Sequence, residues 1–186
     1  MDIEYKEAVS NYAKDKKDYL FHNLGNEQAI VIFENIFKNA NGKVRMAIND
    51  FWRNETVNSF EFKEGLRLFL EREGTSLDII LSSFPSEEIR SSQSDNIFRL
   101  LYSTRAYNDG RIRIRLGGGK SFTVNNAPVH FCTADGHMYR FEEDIRTLRA
   151  TCNFYDPATT QSLDNAFDAV FNSDVMETIN LGEVLR

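Results

Sequence analysis

The chain has 186 residues, 41% of them hydrophobic, and sets 22 Lys and Arg against 28 Asp and Glu for a formal net charge of −6. That length and apolar content suit one domain with a sizeable core, and a mean hydropathy of −0.44 with only three prolines argues against long disorder. The acidic balance disfavours broad charge-driven nucleic-acid binding, and two cysteines without a C-x-x-C spacing exclude a disulfide framework.

Met1 is followed by the charged stretch DIEYKE instead of a basic start and an apolar core, and no apolar run approaches a membrane span. A cytoplasmic protein without membrane attachment is expected. Residues 1–25, with Ile3, Val9, Tyr12, Tyr19 and Leu20 among many charges, predict an N-terminal helical arm that ends near HNLGN. Gly25 terminates it there, and Asn26 caps the next helix. NEQAIVIFENIFKNANG places Ile30, Phe33, Ile36 and Phe37 at helical spacing and stops at Asn41-Gly42, which predicts a left-handed exit. KVRMAIND follows as a strand. A second helix lies between Ser59 and Glu73, with Phe62, Leu66, Phe69 and Leu70 on one side, Gly74 after it, and the buried strand LDIILSS beyond.

Ser94 or Asp95 is placed to cap a third helix through Ile97, Leu100 and Leu101. RIRIRL, SFTVN, VHFCTA and MYRFE read as short strands joined at Gly117–Gly119 and at Asp135-Gly136, and LRATCNFYD as one more. Pro157 opens a last helix whose apolar face is Leu163, Ala166, Phe167, Val170 and Phe171. Parallel strands early and hairpins late predict an α/β fold, a mixed β-sheet flanked by helices.

The order of these elements and three segments, AIVIFENIFKNANGKVRMAINDF with FKEGLRLFLEREGTSLDIILSS, APVHFCTADGHMYRFE, and ATCNFYDPATTQSLDNAFDAVFNSD, resemble the phospholipase D-like superfamily. The resemblance covers most of residues 26–174 and implies a phospholipase D-like domain over residues 26–186. That family's signature is His-x-Lys-x-x-x-x-Asp: one histidine attacks phosphorus, a second protonates the leaving oxygen, and lysines hold the phosphate charge. Matching its aspartate to Asp135 puts His130 at the lysine position and Pro128 at the histidine position, and neither His22 nor His137 is followed two residues later by lysine. The chain thus resembles a degenerate, single-copy member without a nucleophile at the matched position. Single-copy members pair across the motif strand, which implies a homodimer with Val129 or Phe131 at the seam.

Few other side chains offer chemistry. His130 and Asp135 are the catalytic candidates; His130 shares a strand face with Cys132, and with His137 and Cys152 these make four soft ligands at irregular spacing. No metal and no cofactor is assigned. Trp52, beside Asp50 at the end of the first strand of the main domain, stands where an α/β sheet opens its ligand crevice. The GGGK run ending at Lys120 leads into a strand-like segment and so lacks the helix of a phosphate loop. Arg111, Arg113 and Arg115 alternate with Ile112, Ile114 and Leu116, so the three arginines share one face of a strand, as an anion grip or as partners of the chain's many carboxylates. With Lys120 and Trp52 they form the candidate ligand-binding set. The resulting expectation is a catalytically inactive binding or accessory module that acts through a protein partner, in a bacterial assembly such as a genome-defence system. The alternatives are a phosphodiesterase or nuclease with an altered site around His130, and a non-catalytic nucleic-acid-binding module.

Overall fold

In a computed structural model, which describes residues 3–49, 51–52, 54–86, 96–117 and 122–185, the chain opens with helix α1 (Ile3–Lys14) and a short strand β1 (Phe21–Asn23). The expected first helix therefore stops early. Lys16 takes a φ of 50°, a left-handed step that ends helical hydrogen bonding. Beyond it Phe21 and Asn23 are buried while His22 is exposed, the alternation of a strand. Tyr5, Tyr12 and Tyr19 meet Phe21 edge to face, so aromatic contacts tie this segment to the sheet.

Helix α2 (Gly25–Asn39) feeds strand β2 (Lys43–Ile48); after the short helix α3 (Glu55–Asn58), helix α4 (Phe60–Glu71) feeds β3 (Ser76–Leu81). The face read from the sequence for α4 is the buried one, since Phe62, Leu66, Phe69 and Leu70 have no exposed surface. Ser59 caps this helix through the Phe62 N–H, Arg72 ends it in an extended conformation, and Gly74 turns the chain beyond it at a φ of 80°. The ends of α2 differ from expectation. Asn26 lies inside the helix and bonds Glu55 and Thr56 instead of capping. At the exit Ala40 is extended, and the Asn41 and Gly42 N–H groups donate to the Asp135 carboxylate at 2.7 and 2.9 Å. A Cβ on Gly42 would stand 3.0 Å from Asp135 Oδ1, so close approach, not a left-handed dihedral, calls for glycine there.

Helices α5 (Ile97–Ser103) and α6 (Arg105–Asn108) follow, capped by Asn96 and Thr104; Ser94 and Asp95, the expected caps, lie outside the described residues. Strand β4 (Ile112–Leu116) runs parallel to β3, and β3 parallel to β2. A separate hairpin of β5 (Thr123–Val124) and β6 (Ala127–Pro128) turns at Asn125 and Asn126, both at positive φ. Strands β7 (His130–Ala134), β8 (Met138–Asp144) and β9 (Arg149–Asn153) then form an antiparallel meander. Helix α7 (Pro157–Phe171), strand β10 (Glu177–Thr178) and helix α8 (Leu181–Val184) complete the fold.

The strands assemble in the order β1-β9-β8-β7-β2-β3-β4-β10, one eight-stranded mixed sheet flanked by helices. Strand β7 lies between β2 and β8 and has no free edge; Val129 and Phe131 are both buried, and the sheet's edges are β1 and β10.

The two faces of the sheet differ. Val44, Met46, Leu77, Ile79, Ile112 and Ile114 join the helices α2, α4 and α5 in the main core. Among the described elements α7 covers the other face, where Phe167, Phe171 and Met176 meet Ala47, Ile80 and Phe131. Beside that smaller core runs a seam of charge. Arg45 forks onto Asp168 with two bonds of 2.9 Å and reaches Asp164 at 3.2 Å, while Asp164 accepts from Thr133 Oγ1 at 2.5 Å. The buried side of α7 is accordingly Thr160, Asp164, Phe167 and Phe171, and Val170, expected inside, is 36% exposed.

Candidate functional site

Residues equidistant from the Asp135-Gly136 turn pair across β7 and β8, which sets His130 opposite Glu142 and Cys132 opposite Arg140. His130, Arg140 and Glu142 are 8%, 3% and 3% exposed, a charged cluster inside the protein. His130 Nδ1 lies 3.3 Å from Glu142 Oε1, and Arg140 Nη1 donates to Glu142 Oε2 at 2.5 Å. The Arg140 guanidinium sits 5.2 Å over the Phe33 ring. Burial alone would raise the Glu142 carboxyl, but His130 and Arg140 overcome it and hold the group below the usual carboxylate range. On its other side His130 Nε2 accepts the Asn49 N–H at 3.1 Å, just beyond β2. The lone pair that proton transfer or attack on phosphorus would use is thereby committed to the main chain.

The neighbouring candidates are also engaged. Pro128 is exposed in β6. Asp135 holds the loop between α2 and β2 through Asn41 and Gly42. Cys132 is 1% exposed and burial pushes its thiol up to about 12, while burial raises Cys152 further still, so neither is a thiolate near neutral pH. His137 Nδ1 lies 3.0 Å from the Asp135 carbonyl. Among the described residues no group of three or more His, Cys, Asp or Glu converges on a metal position.

Each arginine of the β4 stripe has a partner inside the molecule. Arg111 donates to the Leu70 carbonyl at 3.1 Å and to the Thr75 carbonyl at 2.7 Å, at the C-terminal end of α4. Arg113 forks onto Asp78 at 2.7 and 2.6 Å; that carboxylate is 1% exposed and also has Lys43 Nζ at 3.3 Å. Arg115 donates to the Phe171 carbonyl at 3.1 Å and to Thr178 Oγ1 at 2.6 Å. Trp52 packs in the main core at 6% exposure. Asp50 and Lys120 lie outside the described residues. The sequence reading did not single out Arg140 or Glu142, yet counting back from the Asp135-Gly136 turn pairs Glu142 with His130. Asn49 left no such signal, since its contribution is a main-chain N–H.

No family model matches the sequence, and no curated protein matches it. Solved structures do. The archaeal chromatin protein TrmBL2, whose structure shows a novel mode of DNA binding, aligns with a TM-score of 0.57 over 95% of this chain and 62% of its own, at 10% identity. Nuc, a phospholipase D family member from Salmonella typhimurium, aligns at 0.58 over 88% of this chain and 99% of its own, at 12% identity. Phosphatidylserine synthase from Haemophilus influenzae Rd KW20 gives 0.56 over 90% and 41%, at 12% identity. The chain therefore has the phospholipase D-like fold. It spans 62% of the chromatin protein's chain and 41% of the synthase's, but nearly all of Nuc's.

Proposed function

We propose that the chain is a non-catalytic phospholipase D-like module that works by binding. One observation carries this reading: His130, the one histidine at a signature position, accepts a main-chain N–H at Nε2, while Pro128 occupies the position of the attacking histidine. Two buried, protonated thiols offer no substitute nucleophile. The partner is a protein, within a bacterial assembly such as a genome-defence system, as the superfamily resemblance implies. A groove of about 440 Å³ between α2 and α4 supports a protein contact. Phe37 and Phe69 line it, Phe60 and Leu68 are 75% and 51% exposed beside them, and Glu34, Glu61 and Glu64 share its walls with Lys38 and Arg72. Such a surface, apolar between charges of both signs, suits an amphipathic segment.

A second reading, a nucleic-acid-binding module, is favoured by the likeness to a DNA-binding chromatin protein. The deciding experiment assays homogeneous wild-type and His130→Ala protein on a generic phosphodiester and on short DNA. We expect no turnover from either. Metal-independent turnover that disappears in His130→Ala would restore the phosphodiesterase alternative, and salt-sensitive DNA binding without turnover would bring the second reading forward.

A further inference from the structure

Three strands away from β7, at the opposite side of the sheet, a groove of about 580 Å³ opens between β4, β10 and the end of α7. Its walls include Arg113, Arg115, Asn108, Asn172, Asn180 and Tyr107, and among the described residues that line it there is neither Asp nor Glu. In a chain of net charge −6, a groove with two guanidinium groups and no carboxylate in its walls is a local reversal of sign.

The two arginines are held in place. Their guanidinium carbons lie 4.9 and 5.8 Å from the centre of the same Phe171 ring, which is itself 3% exposed. Arg113 commits Nε and Nη2 to Asp78, and Arg115 commits Nε and Nη1 to Phe171 O and Thr178. A guanidinium has five N–H groups, so each retains donors after those bonds are made. Asp78 answers Arg113 and Lys43 together, Asp168, which also acts on Arg113, is forked by Arg45, and Arg115 bonds neutral oxygens, so Arg115 brings to the groove a charge that no carboxylate among the described residues answers by a hydrogen bond. Two fixed forks with donors to spare match an oxyanion, and the exposed Asn108 carboxamide on the wall matches a polar group attached to it.

We propose that this groove binds a phosphomonoester, the phosphate of a free nucleotide or of a nucleic-acid strand end. The site is separate from the His130 cluster and stands whether or not that cluster performs chemistry.

The test titrates the full chain at low salt with inorganic phosphate, adenosine 5′-monophosphate, adenosine, and a short single-stranded DNA with and without a 5′-phosphate. Binding is followed by calorimetry. Phosphate and the monophosphate are expected to bind saturably, and adenosine is not. Arg115→Gln should weaken the monophosphate by about tenfold or more, because a charge-assisted contact is lost. Asn108→Asp, which puts a carboxylate on the wall, should weaken it as well, while Arg111→Gln, outside the groove, should leave it unchanged. A phosphorylated strand that binds more tightly than the monophosphate identifies the strand end as the source; equal affinity identifies the free nucleotide. Absence of saturable binding by phosphate and monophosphate, or equal affinity in wild type and Arg115→Gln with both folded by circular dichroism, overturns the proposal. DNA binding indifferent to the 5′-phosphate, together with no saturable binding of the monophosphate, overturns it in favour of contacts to the backbone.

Discussion

Glu142 is a carboxylate that stays ionised inside the protein because an arginine and a histidine face it. Its folded pKa is lowered, so at mildly acidic pH the unfolded chain binds the proton first. The stabilisation is complete above the unfolded value of about 4.3 and is lost as pH falls through the folded value. Glu142→Gln should therefore flatten the acid limb of stability, measured as urea midpoints from neutral pH downwards; equal slopes in wild type and variant would show that the cluster does not couple to protons. The same change should lower stability at neutral pH by about 3–5 kcal/mol, because Arg140 is left as a buried charge without its counterion. Of this cluster the sequence made His130 conspicuous by its rarity and its strand. It left Glu142 and Arg140 looking like two more polar residues in an alternating strand, because burial depends on what the helices cover and not on the strand's own pattern.

At the level of elements, arginines close the ends of the two long helices that feed β2 and β3. Arg72 donates to the carbonyls of Phe37 and Lys38 at the end of α2, and Arg111 does the same at the end of α4. A helix C-terminus presents carbonyls without partners and partial negative charge, so a guanidinium there satisfies both needs. Arg111→Gln should cost about 1–2 kcal/mol, seen as a lower melting temperature with phosphate affinity unchanged. A thermally silent substitution would mean that solvent satisfies those carbonyls equally well. The alternation in RIRIRL made the inward set Ile112, Ile114 and Leu116 legible. The destinations of the three arginines were not, since their acceptors lie on other elements 35 to 63 residues away. Strand β1 escaped for a different reason: three residues are too few to display a period, and the flanking Tyr19 and Leu20 continued the apparent helical pattern.

Across the whole molecule the sheet is held differently on its two sides, by a broad apolar core under α2 and α4 and by a smaller core plus ion pairs under α7. An apolar reading of α7 from periodicity alone missed this, because Asp164 is buried opposite Arg45 and Thr133 where a hydrophobic residue would ordinarily sit. Taking two charges out of water costs nearly as much as their attraction returns, so the pair anchors α7 without adding much net stability. Removing one partner is another matter. Arg45→Met should destabilise by about 3–5 kcal/mol, since Asp164, 6% exposed, loses its cation and among the described residues keeps the Thr133 hydroxyl. Adding Asp164→Leu to that variant should recover most of the loss, because the second change removes the stranded charge and extends the apolar face toward Phe167; Asp168 remains solvated at 42% side-chain exposure. Urea unfolding of the two single variants and the double variant measures the coupling directly. If the double variant is as unstable as the two losses added together, the seam is not an exchangeable ion pair, and α7 depends on its charges for its position on the sheet.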